Sequence, residues 1–412
     1  MTLESTLSAT FATRLGNVET SAIRELFKLL AKPGIISFAG GFPDASMFDV
    51  AGIKAATDKA LGDTAGAVLQ YGATEGYAPL REGLSKHMAS KGVTVSPDGL
   101  IITTGSQQAL DLIGKTMIDE GDNVIVEAPT FLATIQCFRL YGANIIGAPI
   151  DGGGVMVGKL EELIAKHKPK LVYLIPSFGN PSGALLSQDR RKRILELAVK
   201  YKTLIVEDDP YGDLYFDESP TATAPRSMLS LASEVPESLD WLAFAGSFSK
   251  VMSPGLRVGW LIAPPELLAK ATMCKQFSDA HTSNLSQAIA ANYLASGAMP
   301  TSVAKVRKVY AARAKTMAEC LKAEFGDAIS FTEPQGGMFF WANLTGARGQ
   351  STDVTALAKA AIANNVAFVP GAPFFAHDAD MTALRLSFAT ANEDLIRDGV
   401  ARLGKAFKSK DI

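Results

Sequence analysis

The chain has 412 residues, and its content of 47% hydrophobic and 20% charged residues is that of a globular protein with a large core, which excludes disorder. Its 40 basic and 42 acidic residues give a formal net charge of -2, which excludes an overall field that would attract nucleic acid or an anionic membrane. The length predicts one large domain and one smaller domain. We therefore expect small-molecule ligands and neither a nucleic-acid nor a membrane partner.

The cysteines and histidines form no metal or redox motif. Cys137, Cys274 and Cys320 are far apart, and the four histidines show no HExxH spacing. The N-terminal stretch MTLESTLSATFATRLGN has no apolar segment of signal-peptide length, and no window reaches the roughly 18 apolar residues of a membrane span. We therefore expect a cytoplasmic protein without a bound metal.

From about residue 100 the chain alternates apolar strands with helices. The predicted strands are LIITTG, NVIVEAP, NIIGAPI, KLVYLIPS, TLIVEDD, WLAFAG and RVGWLIAP. Their nearly continuous apolar runs indicate that both faces of the sheet are covered. The pattern predicts an α/β fold with a mostly parallel central sheet covered by helices. Residues 151–158, DGGGVMVG, do not match GxGxxG and are predicted to form a hairpin.

The last quarter of the chain has a different order of elements. The segment Thr301 to Phe325 repeats apolar residues at steps of three and four, which predicts one amphipathic helix. Short strands and helices follow, in ISFTEPQGGMFFWANL, DVTALAKAAIANN, VAFVPG and ALRLSFAT. This order predicts a smaller α+β domain.

Polar residues with possible chemistry follow four of the predicted strands, where ligands bind in open α/β sheets. They are Ser106 and Gln107 after LIITTG, Asn180 after KLVYLIPS, Asp208 and Tyr211 at the end of TLIVEDD, and Ser247, Ser249, Lys250 and Arg257 after WLAFAG. Each also has a plain structural interpretation, because serine caps helices, FGNPSG is a turn sequence and acidic clusters are usually solvated. A lysine near a core, however, is rare unless it is paired or used chemically.

Pyridoxal phosphate would account for these four strand ends together. It needs a lysine for the Schiff base, an acid for the pyridinium nitrogen, donors for the phenolic oxygen and a cradle for the phosphate. We predict that Lys250 forms the Schiff base and that Asp208 keeps the ring nitrogen protonated. Asn180 and Tyr211 are predicted to hold the phenolate, and Ser106, Gln107, Ser247 and Arg257 the phosphate, with Ser249 beside them in the cofactor site.

From about Arg24 to the C-terminus, the sequence resembles the fold-type I, class I/II aminotransferases, and among them the α-aminoadipate/kynurenine group. The motifs are IRELFKLLAKPGIISFAGGFPD, QYGATEGYAPLRE, TTGSQQALDL, PSFGNPSG, EDDPYG, GSFSKVMSPGLRVGW, PQGGMFFW and LRLSF. The resemblance implies a homodimer with active sites at the interface and a small domain built from both chain ends. We expect an N-terminal segment over residues 1–45 that joins the small domain, a large cofactor domain over 46–300 and the small C-terminal domain over 301–412.

The family pattern also adds candidate residues. Phe131 would stack on the cofactor ring, and Tyr71 would reach the phosphate from the other subunit, although both could instead be core aromatic residues. Gly40 would let its backbone approach the substrate carboxylate, and Asn180 would also contact the substrate. Arg385 can be argued from the pattern ALRLSF, which places it opposite the apolar face of a strand, and the family assigns such an arginine to the α-carboxylate. A surface arginine is the alternative.

These residues predict a ping-pong transamination from an L-amino acid to a 2-oxo acid, with 2-oxoglutarate as the usual acceptor in the family. Lys250, Asp208 and Tyr211 form the predicted catalytic set. Arg24 would meet the distal carboxylate of glutamate or aminoadipate, or it is an exposed helix residue. Phe38, Phe42 and Leu285 could instead line a pocket for aromatic or branched side chains.

Two other functions remain open. A β-lyase could use the same scaffold and cofactor, because a fold does not decide the reaction. A cofactor-binding regulatory module is the remote alternative, but only about 30 residues precede SFAGG, which is short for a DNA-binding domain.

Overall fold

The computed structural model of the chain describes residues 11–17, 34–62, 65–216 and 224–409. Within these residues the strands are β1 (Ile36–Ser37), β2 (Leu100–Thr103), β3 (Asn123–Ala128), β4 (Asn144–Asp151), β5 (Gly154–Val155), β6 (Leu171–Leu174), β7 (Leu204–Asp209), β8 (Leu242–Ser247), β9 (Gly259–Ile262), β10 (Ile329–Phe331), β11 (Phe339–Leu344), β12 (Val366–Ala367), β13 (Val369–Pro370) and β14 (Ala383–Ser387).

The helices cover the strands and connect most of them. They are α1 (Val50–Ala60), α2 (Ala65–Val68), α3 (Ala78–Ser90), α4 (Ser106–Met117), α5 (Leu132–Leu140), α6 (Val157–His167), α7 (Gln188–Tyr201), α8 (Met228–Leu231), α9 (Pro265–Ser278), α10 (Asn284–Ala295), α11 (Ala298–Phe325), α12 (Gly346–Ser351), α13 (Val354–Ala363) and α14 (Glu393–Phe407). A 3-10 helix, Thr13–Asn17, packs against α5.

The main sheet has eight strands in the order β2-β9-β8-β7-β6-β3-β4-β5. The strands β4, β3, β6, β7 and β8 run parallel to one another, whereas β9 is antiparallel to both β2 and β8, and β5 is antiparallel to β4. Every residue of β2, β6, β8 and β9 is buried, as expected for strands with helices on both faces. The predicted α/β fold with a mostly parallel central sheet is confirmed.

The register of the central strands decides where their polar residues lie. Asp208 pairs with Ala245, and Asp209 with Gly246, so β7 and β8 end at the same edge of the sheet. The chain that leaves β8 therefore carries Lys250 past the end of β7. The loop after β6 opens at this edge too, because β6 is parallel to β7.

A second, antiparallel sheet in the order β10-β11-β14-β13 lies in the C-terminal part of the chain. This smaller antiparallel sheet agrees with the predicted α+β region. β1 pairs in parallel with β12, which places Ile36 and Ser37 beside the C-terminal part of the chain. The domain boundaries near residues 45 and 300 stay a prediction.

Two local predictions can be compared directly with the structure. The helix expected from Thr301 is α11, which begins three residues earlier at Ala298 and ends, as expected, at Phe325. Residues 151–158 contain the expected hairpin, because β4 and β5 pair through Asp151 and Gly154 before α6 begins. None of the helices in the described ranges is long and apolar enough to cross a membrane.

Candidate active site

A cavity of about 320 Å³ lies at the edge of the main sheet where β7 and β8 end. Among its lining residues are those predicted from the strand ends and from the family pattern: Ser106, Gln107, Phe131, Asn180, Asp208, Tyr211, Ser247, Ser249, Lys250, Arg257 and Arg385. Segments more than 270 residues apart in the chain, from Ser106 to Arg385, thus meet at one cavity. What each residue does there is still a prediction.

Lys250 lies in the turn after β8 and faces the cavity. Its Nζ donates a hydrogen bond to the Gly41 carbonyl oxygen at 2.8 Å and lies 6.0 Å from the centre of the Tyr211 ring. Burial, followed by the nearby guanidiniums of Arg385 and Arg257, lowers the pKa of Lys250 to about 8. Since none of the described carboxylates forms an ion pair with it, about a tenth of this amine is neutral and nucleophilic at pH 7, far more than for an ordinary lysine.

Asp208 lies in β7 and is only 3% exposed. Its Oδ2 accepts a hydrogen bond from the Tyr173 hydroxyl at 2.8 Å, whereas its Oδ1 is buried with no hydrogen-bond partner among the described residues. Burial raises the pKa of Asp208 to about 7, although the Tyr173 hydrogen bond acts in the opposite direction. An unpaired buried carboxylate oxygen needs a donor, and a protonated ring nitrogen would be one.

Arg385 lies in β14, on the strand face opposite Leu384 and Leu386, as its sequence pattern predicts. Both faces of β14 are buried, however, and Arg385 is 3% exposed. Its Nη1 donates to Asn180 Oδ1 at 2.8 Å and its Nη2 to the Ala39 carbonyl oxygen at 2.6 Å. The guanidinium therefore enters the cavity as a fixed group, which excludes the alternative of a surface arginine.

Aromatic rings hold this guanidinium in place. Its carbon lies 4.6 Å from the centre of the Phe339 ring and 4.9 Å from that of Phe374. Burial lowers the pKa of Arg385 to about 10, and its Nε is buried with no partner among the described residues. A carboxylate with two oxygens is the ligand that suits such a positioned guanidinium.

The other end of the cavity, near Ser106 and Arg257, has groups that suit an anion. Ser106 begins α4, and the preceding Gly105 has φ 78°, a left-handed conformation that favours glycine. A Cβ on Gly105 would lie 2.5 Å from Nη2 of Arg257, so a larger residue would collide with that guanidinium. Free backbone N–H groups at a helix start next to an arginine suit a phosphate.

The hydroxyls of the same end are linked to one another. Ser247 Oγ donates to Ser249 Oγ at 2.9 Å and accepts from the Ser249 backbone N–H at 3.1 Å. Together with the unpaired Asp208 oxygen and the poorly solvated Lys250 amine, this donor set fits pyridoxal phosphate. Ser106, Gln107, Ser247 and Arg257 would hold its phosphate, with Ser249 beside them.

The structure does not bring every predicted residue into the cavity. Tyr71 is 85% exposed and lies outside it, with its ring edge-on to His281 at 5.9 Å. Gly40 does not line the cavity, but its neighbour Gly41 does. Phe38 is fully buried away from it, against the position of Gly399, so the suggestion that Phe38 lines a substrate pocket is wrong. Arg24 lies outside the described residues.

Sequence reasoning missed several contributors. Tyr173 fixes Asp208, the Gly41 carbonyl holds Lys250, and Phe374 and Phe339 flank Arg385. Only Tyr173 had a local signal, because a phenol in the otherwise aliphatic buried strand LVYL must find a hydrogen-bond partner. The other contacts join segments that are distant in the sequence. Among the described residues, no cluster of three or more His, Cys, Asp or Glu could hold a metal ion.

Comparison with known proteins points to one family. The family model described as "Aminotransferase class I and II" matches residues 36–403. The 2-aminoadipate transaminase of Thermus thermophilus is 42% identical over 401 residues, covering 97% of each chain. Aromatic-amino-acid aminotransferase 1 of Thermococcus litoralis is 37% identical, covering 97% of this chain and 94% of the relative. A crystal structure of alpha-aminoadipate aminotransferase from Thermus thermophilus, complexed with N-(5'-phosphopyridoxyl)-L-leucine, has a TM-score of 0.89 at 39% identity and covers 98% of both chains.

Proposed function

The chain belongs to the class I and II aminotransferases, enzymes that depend on pyridoxal phosphate, and we propose that its amino donor is an L-amino acid of the aminoadipate, aromatic or branched-chain type. The proposed acceptor is a 2-oxo acid, 2-oxoglutarate in the first instance, in a ping-pong reaction. The proposal rests on one observation: the side chains of Lys250, Asp208 and Arg385 line the same cavity, whose volume suits a small molecule.

Each of the three residues has a separate task in this proposal. Bound pyridoxal phosphate supplies an aldehyde for the amino group and a ring that withdraws electrons. The Lys250 amine, whose pKa is lowered to about 8, would bind the aldehyde; once the amino group of the donor has displaced it, the freed amine would take the α-proton of the donor on its Nζ. Asp208 Oδ1, which has no hydrogen-bond partner among the described residues, would accept a hydrogen bond from the protonated ring nitrogen, and its negative charge would favour that protonation.

Arg385 and its neighbours orient the donor. Its guanidinium binds the α-carboxylate in a bidentate manner, which fixes the Cα–H bond relative to Lys250. Tyr211 and Asn180 are assigned to the phenolic oxygen, and Phe131 to the ring face. Because every donor has an α-carboxylate, Arg385 sets the reaction geometry and not the choice of side chain.

The side-chain preference has to come from the remaining wall of the cavity. Phe42, Leu132 and Phe374 line it and favour an apolar side chain. The cations among its described lining residues are Lys250, Arg257 and Arg385, all of which are already assigned. A distal carboxylate would therefore need a further cation, for which Arg24 is the candidate. The name of the 42% identical 2-aminoadipate transaminase supports a donor with such a distal carboxylate.

We also propose a homodimer in which Tyr71 of each subunit reaches the phosphate in the other. Three exposed large hydrophobic side chains support an interface: Leu69 is 67%, Tyr71 85% and Phe277 81% exposed. A division into two domains near residues 45 and 300 is supported by the two separate sheets. A cytoplasmic location is supported by the three free cysteines.

A half-reaction screen tests the substrate proposal. The cofactor-loaded enzyme is mixed with 2-aminoadipate, glutamate, leucine, phenylalanine or kynurenine, and conversion of the cofactor to its amine form is followed by absorbance. We expect conversion with several of these donors. In Arg24→Ala the rates with 2-aminoadipate and glutamate should fall about tenfold or more, while leucine is unaffected. If Arg24→Ala converts each donor at the same rate as the wild type, Arg24 is not the dicarboxylate ligand. Formation of pyruvate and ammonia from a cysteine conjugate would show elimination instead of transamination.

A further inference from the structure

The loop between β6 and α7 is closed at its base. Ser177 and Leu185 form an antiparallel bridge, and the Leu186 N–H donates to the Pro176 carbonyl oxygen at 2.8 Å. The two legs of the loop are thus joined near residues 176 and 186. Its tip, which includes Asn180, reaches the cavity.

Arg191, in the first turn of α7, contacts both legs of this base. Its Nε donates to the Leu186 carbonyl oxygen at 2.8 Å, and its Nη2 donates to the Pro176 carbonyl oxygen at 2.8 Å and to Ser177 Oγ at 3.1 Å. The residue is 1% exposed. Burying a guanidinium is unfavourable unless its charge is compensated, and Nη1 of Arg191 has no hydrogen-bond partner among the described residues, so the compensation has to come from nearby carboxyl groups.

Two buried carboxylates supply the countercharge. Glu207 Oε1 lies 3.8 Å from Nη1 of Arg191, and the Glu207 carboxylate is itself fixed by the N–H groups of Met228 and Leu229 at 2.7 and 2.9 Å. Glu127 Oε2 accepts from the Ile175 N–H at 2.9 Å and also interacts electrostatically with Arg191. Burial raises the pKa of each glutamate to about 7, while the Arg191 charge acts to lower it.

The two glutamates tie this guanidinium to the strands that carry the candidate site. Glu207 immediately precedes Asp208 in β7, and successive side chains of a strand point to opposite faces. Arg191 therefore lies against the far side of the strand that presents Asp208. Glu127 lies in β3, four residues before Phe131.

The tip of the loop shows what this base positions. Asn180 Oδ1 accepts from Nη1 of Arg385 at 2.8 Å. A guanidinium can only donate, so the amide oxygen of Asn180 must face Arg385 and its NH₂ group is left to donate elsewhere. Any movement of the loop base would therefore shift both the NH₂ group of Asn180 and its hydrogen bond with Arg385.

We infer that Arg191 is a positioning residue for the reaction, which fixes the loop 175–187 by its base so that Asn180 is held between Arg385 and the cofactor. This inference rests on the proposed role of Asn180 as a donor to the phenolic oxygen of the cofactor. Arg191 itself does not line the cavity. It acts through the carbonyl groups of Pro176 and Leu186.

The test compares Arg191→Lys with Arg190→Lys. The side chain of Arg190 is next in the sequence but 33% exposed, and it pairs with Asp151 at the surface, so the same chemical change there is a matched control. Arg191→Lys keeps the charge but cannot reach both carbonyl groups at once. For each variant we would measure thermal melting, cofactor affinity, the pH at which the absorption band of the bound cofactor changes, and kcat and KM for one amino donor.

We expect Arg191→Lys to stay folded and to lower kcat by about tenfold to a hundredfold, the cost of a small misplacement of a reacting group. The band transition should move to higher pH by about one pH unit, because losing a donor to the phenolate strengthens its hold on the neighbouring proton. Arg190→Lys should leave both values unchanged. Should Arg191→Lys fail to fold, Ser177→Ala, which removes one Arg191 contact, should give a smaller shift in the same direction.

Asn180→Ala alone tests the proposed role of Asn180, and the double variant Asn180→Ala with Arg191→Lys tests whether Arg191 acts through Asn180. Asn180→Ala should raise the band transition by itself, and Arg191→Lys should then add little to it, because both changes remove the same donor. If Asn180→Ala has no effect on the band, the assigned role of Asn180 is wrong. If Asn180→Ala shifts the band but Arg191→Lys changes neither the band nor kcat, Arg191 does not act through Asn180. The same conclusion follows if Arg191→Lys shifts the band equally in the wild type and in the Asn180→Ala variant.

Discussion

Two regions of the molecule each hold a sequestered lysine, and they differ in what surrounds the amine. Lys275 in α9 is 0% exposed, and its Nζ donates to Gln108 Oε1 at 2.8 Å, to both oxygens of Asp279 at 2.9 Å and to Thr282 Oγ1 at 3.0 Å. Lys250 in the cavity has the Gly41 carbonyl oxygen at 2.8 Å and no carboxylate partner among the described residues. Burial lowers the pKa of both lysines, but at Lys275 the Asp279 carboxylate acts against it.

The comparison shows that burial alone does not identify a reactive lysine. Around Lys275 the polar groups satisfy one another, and Gln108 Oε1 also accepts from the Thr104 N–H at 2.8 Å. Thr104 in turn provides the carbonyl oxygen that accepts from Nη2 of Arg257 at 3.3 Å. The Lys275 cluster therefore supports the end of the cavity that contains Arg257, the predicted phosphate site, whereas the Lys250 region leaves its amine available.

The largest effect is expected when Lys250, the lysine of the cavity, is replaced. Lys250→Ala should lower transamination by about 10⁴-fold or more, because it removes both the amine that binds the cofactor and the group that moves the α-proton. The absorption band of the lysine-bound cofactor should disappear as well. Activity and absorbance of the purified variant measure this. A variant that kept both would remove Lys250 from its assigned role.

Asp208→Asn should have the next largest effect on rate. The variant loses the negative charge that favours ring protonation, and we expect kcat to fall by about 10²- to 10³-fold, as for the loss of one strong electrostatic contact in an active site. Tyr173→Phe removes one hydrogen bond to Asp208 Oδ2 and keeps the charge, so it should cost about tenfold. Equal losses in the two variants would show that the position of the carboxylate, and not its charge, matters.

Although Asp208 should favour the reaction, its buried carboxylate should destabilise the folded protein in the absence of cofactor. Its folded-state pKa is raised from 3.8 to about 7 by burial, so across this window the unfolded chain binds fewer protons and stability falls as pH rises. The stability of Asp208→Asn relative to the wild-type apoenzyme should then increase by about 2 to 3 kcal/mol between pH 5 and pH 8. Chemical denaturation at pH 5 and pH 8 measures it; a difference that does not grow with pH contradicts the assigned pKa.

At the other lysine we expect a structural effect. Lys275→Met leaves Asp279, Gln108 and Thr282 without their shared donor, and the loss of one partner of a buried ion pair costs about 3 kcal/mol, less here because the Asp279 side chain is 29% exposed. Cofactor affinity should fall about tenfold as the Thr104 segment loosens. The value of kcat at saturating cofactor should stay within about threefold of wild type. A large fall in kcat at saturation would instead place Lys275 in the chemistry.

The site could be predicted from the sequence where its residues follow strands directly. Buried apolar runs end in polar residues at Asp208 and Lys250, and the parallel order of the strands brings those ends together. The sequence pattern places Arg385 opposite Leu384 and Leu386 but does not predict its burial, because alternation describes one covered face, whereas β14 is covered on both. Its flanking rings, Phe339 and Phe374, come from other segments, which no local pattern reveals.

Arg191 shows the same limit more strongly. It lies in the run RRKR of α7, where four basic residues have the same local composition. The structure buries Arg191 to 1% exposure and leaves the Arg190 side chain at 33%. The difference depends on Glu207 in β7 and on the loop after β6, so it follows from tertiary packing and not from helix periodicity.

The smallest effect we predict is a difference in pH dependence between the two lysines. In the apoenzyme, reductive methylation with formaldehyde reads the neutral amine, and the product at each lysine can be quantified by mass spectrometry. Because the pKa of Lys250 is lowered to about 8, its rate should rise about tenfold per pH unit below pH 8 and level off above it. Lys275, which is 0% exposed and paired with Asp279, should stay slow throughout, and an ordinary surface lysine should continue to rise toward pH 10. A Lys250 profile that followed the surface lysines would mean that its amine is solvated, and the contrast between the two buried lysines would then have no electrostatic basis.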